Sequence, residues 1–255
     1  MTVGASWLLL PAALHSPVYI DPREPLSRVR LRSDGIDAAV GDSVPIVELS
    51  VGRLQAQLGL TGAVFMGFEP GESLTFYLLT FDGLFGAPLD LRWRDWEARL
   101  QWAHLSAHFG DGVRQLDQPP PPELQGAFSR EWVALTLGRH LLPGTAGLQE
   151  LYAFAGGRAI YHAVDDGGGP ALWVGAQADW LERHGPYLAA QLMVAAEQQW
   201  TPSVSVQAGG RLGAGGGVRL GGVFYTGRGQ AGKATGEPEQ HVGLQIAFGP
   251  LPRVR

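Results

Sequence analysis

The chain contains no cysteine, which excludes disulfides, thiolate nucleophiles and cysteine-ligated zinc. It also contains no asparagine and a single lysine, Lys233, so arginine carries nearly all of its positive charge. Charged residues make up only 17 % of the 255, against about 25 % in an average soluble domain. A formal net charge of −5 leaves no basic footprint for nucleic acid. No stretch approaches the roughly 18–20 uninterrupted apolar residues of a membrane helix. Yet 45 % of the residues are hydrophobic. If such a chain crosses a bilayer, it must do so as a closed β-barrel, the other structure that satisfies every backbone group in lipid. The 37 glycines and 18 prolines supply turns for many strands.

What is present is period-two alternation, the mark of a strand. It predicts about twelve strands, among them Pro45–Val51, Leu54–Met66, Trp96–His108, Phe128–His140, Tyr187–Gln199, Ser203–Leu212 and Val242–Phe248. In Ser203–Leu212 the residues Val204, Val206, Ala208 and Leu212 take one face, while Ser203, Ser205, Gln207 and Arg211 take the other. The last strand sets Val242, Leu244, Ile246 and Phe248 against Gly243 and Gln245. A soluble barrel would place Lys, Glu and Asp on its polar face. Here that face is Gln, Ser, Gly and Arg, the pattern of a membrane barrel with lipid outside and a polar lumen inside.

The expected architecture is therefore all-β: an antiparallel transmembrane β-barrel with an irregular N-terminal lead-in. Residues 1–26 read as a periplasmic lead-in, 27–249 as the barrel and 250–255 as a tail. Gly4–Leu14 has the apolar core of a signal peptide without its basic n-region. Connections alternate in length, from Gly52-Arg53 and Arg94-Asp95 to the long Ser33–Val44, Phe109–Ala127 and Thr226–His241. The longest, with four prolines at Pro119–Pro122, is expected on the extracellular side and stiffened towards polyproline II. Inside, Arg28, Arg30, Arg32, Arg99, Arg158, Arg211 and Arg219 are expected to pair with Glu48, Asp82, Asp90, Glu97, Asp179 and Glu197, because buried charge is costly unless paired. A narrow selective pore is the alternative use of the same residues.

One cluster stands out from the scaffold. In Trp96–His108 the outward phase runs Ala98, Leu100, Trp102 and then His104, Ser106, His108. A polar triplet continuing an apolar stripe costs free energy in lipid unless something uses it. Strand positions i and i+2 share a face about 7 Å apart, so a His can serve a neighbouring Ser hydroxyl as base. Glu131 has the same outward phase on the next strand, with Val133, Leu135 and Leu137. A looser alternative is a metal site from His104, His108 and Asp111. No other cofactor is expected.

Several segments in order, SWLLLPAALHSPVYIDPREP, FDGLFGAPLDLRW, WAHLSAHFGD, FSREWVALTLG and WTPSVSVQAGGRL, resemble the bacterial envelope proteins grouped as domain of unknown function 1207. The central motif of that family runs approximately His-x-Ser-Ser-His-Leu-Gly-Asp-Glu. Here it reads His104-Leu-Ser106-Ala-His108-Phe-Gly110-Asp111-Gly112, departing at Ala107, Phe109 and Gly112. The resemblance implies an outer-membrane barrel without an assigned activity. Phe248 is similar to the terminal aromatic signal read by the barrel-assembly machinery. Locally, the His-x-Ser pair is similar to outer-membrane phospholipase A and lipid A deacylase, which carry such a pair on the barrel exterior. The first completes its triad with Asn, which this chain lacks; the second uses Glu, the part Glu131 would take. Two functions follow as expectations. One is a structural or interaction barrel, alone, as a homodimer or in an envelope assembly. The other is a serine-dependent hydrolase acting on outer-membrane lipids.

Overall fold

The computed structural model describes residues 5–9, 11–18, 20–21, 23–115, 128–141, 147–164, 167–181, 184–212, 217–229 and 238–248. Thirteen strands form one antiparallel sheet: β1 (Ala5–Leu9), β2 (Ser27–Arg32), β3 (Ile36–Val51), β4 (Leu54–Pro70), β5 (Phe76–Trp93), β6 (Trp96–Phe109), β7 (Phe128–Leu141), β8 (Leu148–Ala163), β9 (Gly169–Trp180), β10 (Gly185–Ala195), β11 (Ser203–Leu212), β12 (Val218–Arg228) and β13 (Pro238–Phe248). Each strand from β2 to β13 pairs with the next in sequence, and β13 pairs back onto β2, which closes a twelve-stranded barrel. β1 stands beside the ring's seam. It pairs with Val47–Val51 of β3, whereas β2 pairs with Ile36–Ala39 of the same strand.

Side chains sort by phase as the alternation predicts. Leu244 is 62 % exposed while its neighbour Gln245 is 1 % exposed. Large apolar side chains stand outward on every barrel strand, from Val29 and Leu31 on β2 to Val242 and Phe248 on β13. An apolar belt of that extent would aggregate a protein in water, and lipid is the solvent that suits it. At the short-turn end Trp93 and Trp96 face outward. Arg94 lies over the ring of Trp93 and Arg139 over that of Trp96, forming an amphipathic rim.

The lumen is filled, and it is filled by the lead-in. The described residues among 11–26, expected in the periplasm, lie inside the barrel. Leu14, Val18, Ile20 and Leu26 are buried there, Val18 and Ile20 against Tyr152, Phe154 and Ala189. Lumenal side chains satisfy the inserted backbone. Gln57 accepts from the Leu14 amide and donates to the Ala12 carbonyl, Glu97 accepts from the Ser16 amide, and Gln177 donates to the Pro17 carbonyl. The physical reason is one of space: inward Gln, Ser and Arg cannot fill a barrel of this strand number by themselves. A backbone with polar partners all round it can.

Four of the seven arginines pair within the expected set, whereas Arg28 donates to the Asp21 carbonyl, Arg30 to Gln245, and Arg32 pairs with Asp34, Asp37 and Glu239. Arg99 grips Asp90 through two bonds of 2.7 and 2.8 Å, and Arg219 grips Asp179 at 2.8 and 2.8 Å. Arg158 bonds Glu197 at 2.6 Å, and Arg211 donates to the carbonyls of Trp180 and Leu181 at 3.2 and 2.5 Å. Glu48 departs from the expectation, being served by Ser50, Gln55 and Gln57. Beside the inserted segment, two cavities of about 100 and 90 Å³ remain among the described residues, each with room for only a few waters. In planar bilayers the protein should therefore show no stepwise conductance, and a variant lacking residues 11–26 should. Steady channel opening by the intact chain would restore the pore reading.

Several boundaries differ from the sequence pattern: β4 runs on from Met66 to Pro70 and β13 begins at Pro238 rather than Val242. The expected loop Ser33–Val44 is a turn at residues 33–35 followed by β3, which begins at Ile36. Its upper half escaped notice because Asp42 occupies an outward position and breaks the alternation. The strand expected to reach Gln199 stops at Ala195, where a 3-10 turn (Ala196–Gln198) leads to Gln199 and Trp200 with φ of 55° and 58°. The proline run Pro119–Pro122 and the tail at 250–255 lie outside the described residues.

Candidate functional site on the barrel exterior

The site rests on the β5–β6–β7 wall. Ladder register sets His104 directly opposite Glu131 on β7 and Phe85 on β5, while Ser106 lies opposite Ser129 and Gly83. Directly opposed residues on one face have Cβ atoms about 4.5–5.5 Å apart. The alternate residues Ala103, Leu105 and Ala107 point inward and are almost fully buried with Leu84, Phe128 and Trp132. That packing fixes the phase of β6, so His104 and Ser106 stand on the outer face. The wall behind them is tightly filled, which suits a site whose geometry must hold within fractions of an ångström.

His104 Nδ1 lies 3.3 Å from Glu131 Oε1, with side-chain exposures of 37 % and 30 %. An acid on Nδ1 orients the ring and leaves Nε2 free to exchange a proton with a hydroxyl. Ser106 is partly buried, two residues along the same strand. Among the described residues no hydrogen bond joins its hydroxyl to His104. The i to i+2 spacing of about 7 Å makes the two side chains neighbours on the outer face of the strand. Below them Phe85 packs edge-on against Trp102 at 6.1 Å, and the Trp102 indole N–H donates to Tyr161 Oη at 2.6 Å. An aromatic shelf thus borders the site on the side of the apolar belt.

The three residues expected to act together do share one face. The metal alternative does not hold. His104 and His108 are four residues apart on one strand, about 13 Å, whereas zinc ligands lie about 2 Å from the ion. Among the described residues no three His, Asp or Glu side chains gather closely enough for a metal. Ser129, opposite Ser106, belongs to the same patch and was not among the expected site residues. A lone serine on an outward phase is visible as a partner only once register is known. Asp42 and His162 extend the polar row on either side, through Gly62 and Glu131 respectively.

No family model matches the chain, and no curated protein matches it. Among solved structures it is similar to LpxR from Salmonella typhimurium, with 10 % sequence identity, a TM-score of 0.38, and coverage of 86 % of this chain and 90 % of that one.

Proposed function

We propose that this chain is an outer-membrane barrel that hydrolyses acyl esters of membrane lipids, with Ser106 as nucleophile, His104 as base and Glu131 as the group that orients it. One observation carries the reading: a His–carboxylate pair and a serine stand together in a short polar row that crosses a face mostly given to apolar side chains. Ionisable groups in lipid are costly and need a use.

The chemistry follows from the atoms. Ser106 Oγ attacks the ester carbonyl carbon while its proton passes to His104 Nε2, and Glu131 stabilises the imidazolium. The tetrahedral intermediate expels the alcohol oxygen, which takes that proton, leaving an acyl-serine. Water then attacks the acyl-serine through the same base, releasing a fatty acid and restoring Ser106. The Ser129 hydroxyl is placed beside the reacting carbonyl and is the candidate donor to its developing oxyanion.

The direct test is fatty-acid release from phospholipid and from lipid A by detergent-solubilised protein. Glu131→Gln keeps the shape and removes the charge, so kcat should fall on the order of 10²–10⁴-fold while KM changes little. Equal loss through KM alone would assign Glu131 to substrate binding instead. A second reading, a structural barrel that associates with itself or with other envelope proteins, draws on the open hydroxyl of Ser106 and on the lack, among the described residues, of a wall enclosing the site. It predicts no release from any lipid at any oligomeric state.

A further inference from the structure

A groove of about 790 Å³ begins at His104 and Ser106 and crosses the outer wall to Ser27 on β2. It exists because two outward positions lack side chains. Gly83 lies opposite Ser106 on β5, and Gly62 lies one diagonal step further, on β4. Val64 and Phe85 flank the passage between these glycines, and Val40 and Asp42 flank its continuation over β3. Val40 is 63 % exposed, so the trough opens to the solvent of the barrel exterior rather than to the lumen.

We infer that this groove holds the acyl chain of the substrate and measures its length, with the ester carbonyl at Ser106 and the chain end towards the β2–β3 seam. The inference rests on the hydrolase reading and specifies the substrate's chemistry. The occupant is fixed by continuity: the groove has a nucleophile at one end, walls of Val40, Val64 and Phe85 broken by the single carboxylate of Asp42, and an opening to lipid along its length. Four interstrand steps at about 4.8 Å give a path of roughly 19 Å from Ser106 to Ser27. An extended hydrocarbon built from bonds of about 1.5 Å advances roughly 1.3 Å per carbon, so the groove accommodates on the order of twelve to fifteen carbons. Headgroup identity plays no part in this fit; it is the chain that the wall can read.

Gly62 makes the inference testable. A Cβ built there meets nothing within 4 Å, so a large side chain would enter the groove without pressing on the protein. At Gly83 the same atom would lie 3.5 Å from Ser106 Oγ and disturb the nucleophile. The assay compares p-nitrophenyl palmitate with p-nitrophenyl butanoate. In Gly62→Trp the long-to-short ratio of kcat/KM should fall at least tenfold; Gly62→Leu should fall less, and serves if the indole prevents folding. Leu244→Trp, on a distant part of the same belt, should leave the ratio within twofold of the parent. A second readout needs no turnover. Ser106→Ala protein irradiated with a phosphatidylethanolamine bearing a diazirine on its palmitoyl chain should form adducts at Val64 and Phe85, lost when Gly62→Trp is added. An unchanged ratio together with unchanged adducts overturns the groove and leaves the hydrolase standing. Adducts that depend on Gly62 in a protein that hydrolyses nothing would sink the hydrolase and keep an acyl-chain site.

Discussion

Ser106→Ala is expected to reduce acyl-ester hydrolysis by at least about 10³-fold, to the background of the detergent micelle. The nucleophile is the group without which no acyl-enzyme forms. In serine hydrolases that work through a triad, the loss of the serine or of the histidine costs nearly as much as the loss of all three members. Accordingly His104→Ala should match it, and the double variant Ser106→Ala/His104→Ala should be no worse than either single change. Folding should be spared. The change deletes one exterior hydroxyl that bonds no described partner, and surface changes of that kind stay within about 0.5 kcal/mol. Heat-modifiable gel mobility should match the parent. Retention of more than a tenth of the parental rate would remove Ser106 from the chemistry.

The second large effect concerns the lumen. Arg99 and Asp90 face each other across β5 and β6, both buried and joined by two short bonds. Such a pair contributes little net stability against an apolar pair of equal volume, but breaking it strands a buried charge. Arg99→Ala should therefore destabilise the barrel by about 3–5 kcal/mol, read as a shift of the guanidinium midpoint in lipid vesicles. The joint change Arg99→Leu/Asp90→Leu should recover most of that loss, because it leaves no orphan. A single variant as stable as the parent would mean that water reaches Asp90, and with it that the inserted segment does not seal this part of the lumen.

Most of the fold was legible because lipid enforces alternation strictly. Val204 and Leu244 must face out and Gln207 and Gln245 must face in, and a strand that obeys this announces its own register. The candidate site was legible for the same reason: His104, Ser106 and Glu131 interrupt the apolar stripes of their own strands. What stayed hidden breaks the rule silently. Asp42 masked the upper half of β3. The inserted segment at residues 11–26 has no period at all, because its partners are Gln57, Glu97 and Gln177, each far away in sequence. Gly62 and Gly83 look like weak points in strands until the cross-strand register sets them one diagonal step apart along a trough. Ser129 needed the same register, which crosses the long connection between β6 and β7.

The central claim is that Ser106 is an activated nucleophile on the barrel exterior. A fluorophosphonate bearing an alkyl chain reports that chemistry directly, because it phosphonylates a serine only when a base takes its proton. Purified protein, treated with the probe and digested for mass spectrometry, should carry one adduct, on Ser106. Labelling should be abolished in His104→Ala and slowed in Glu131→Gln. An unmodified Ser106 in fully folded protein, or labelling that persists without His104, would contradict the account.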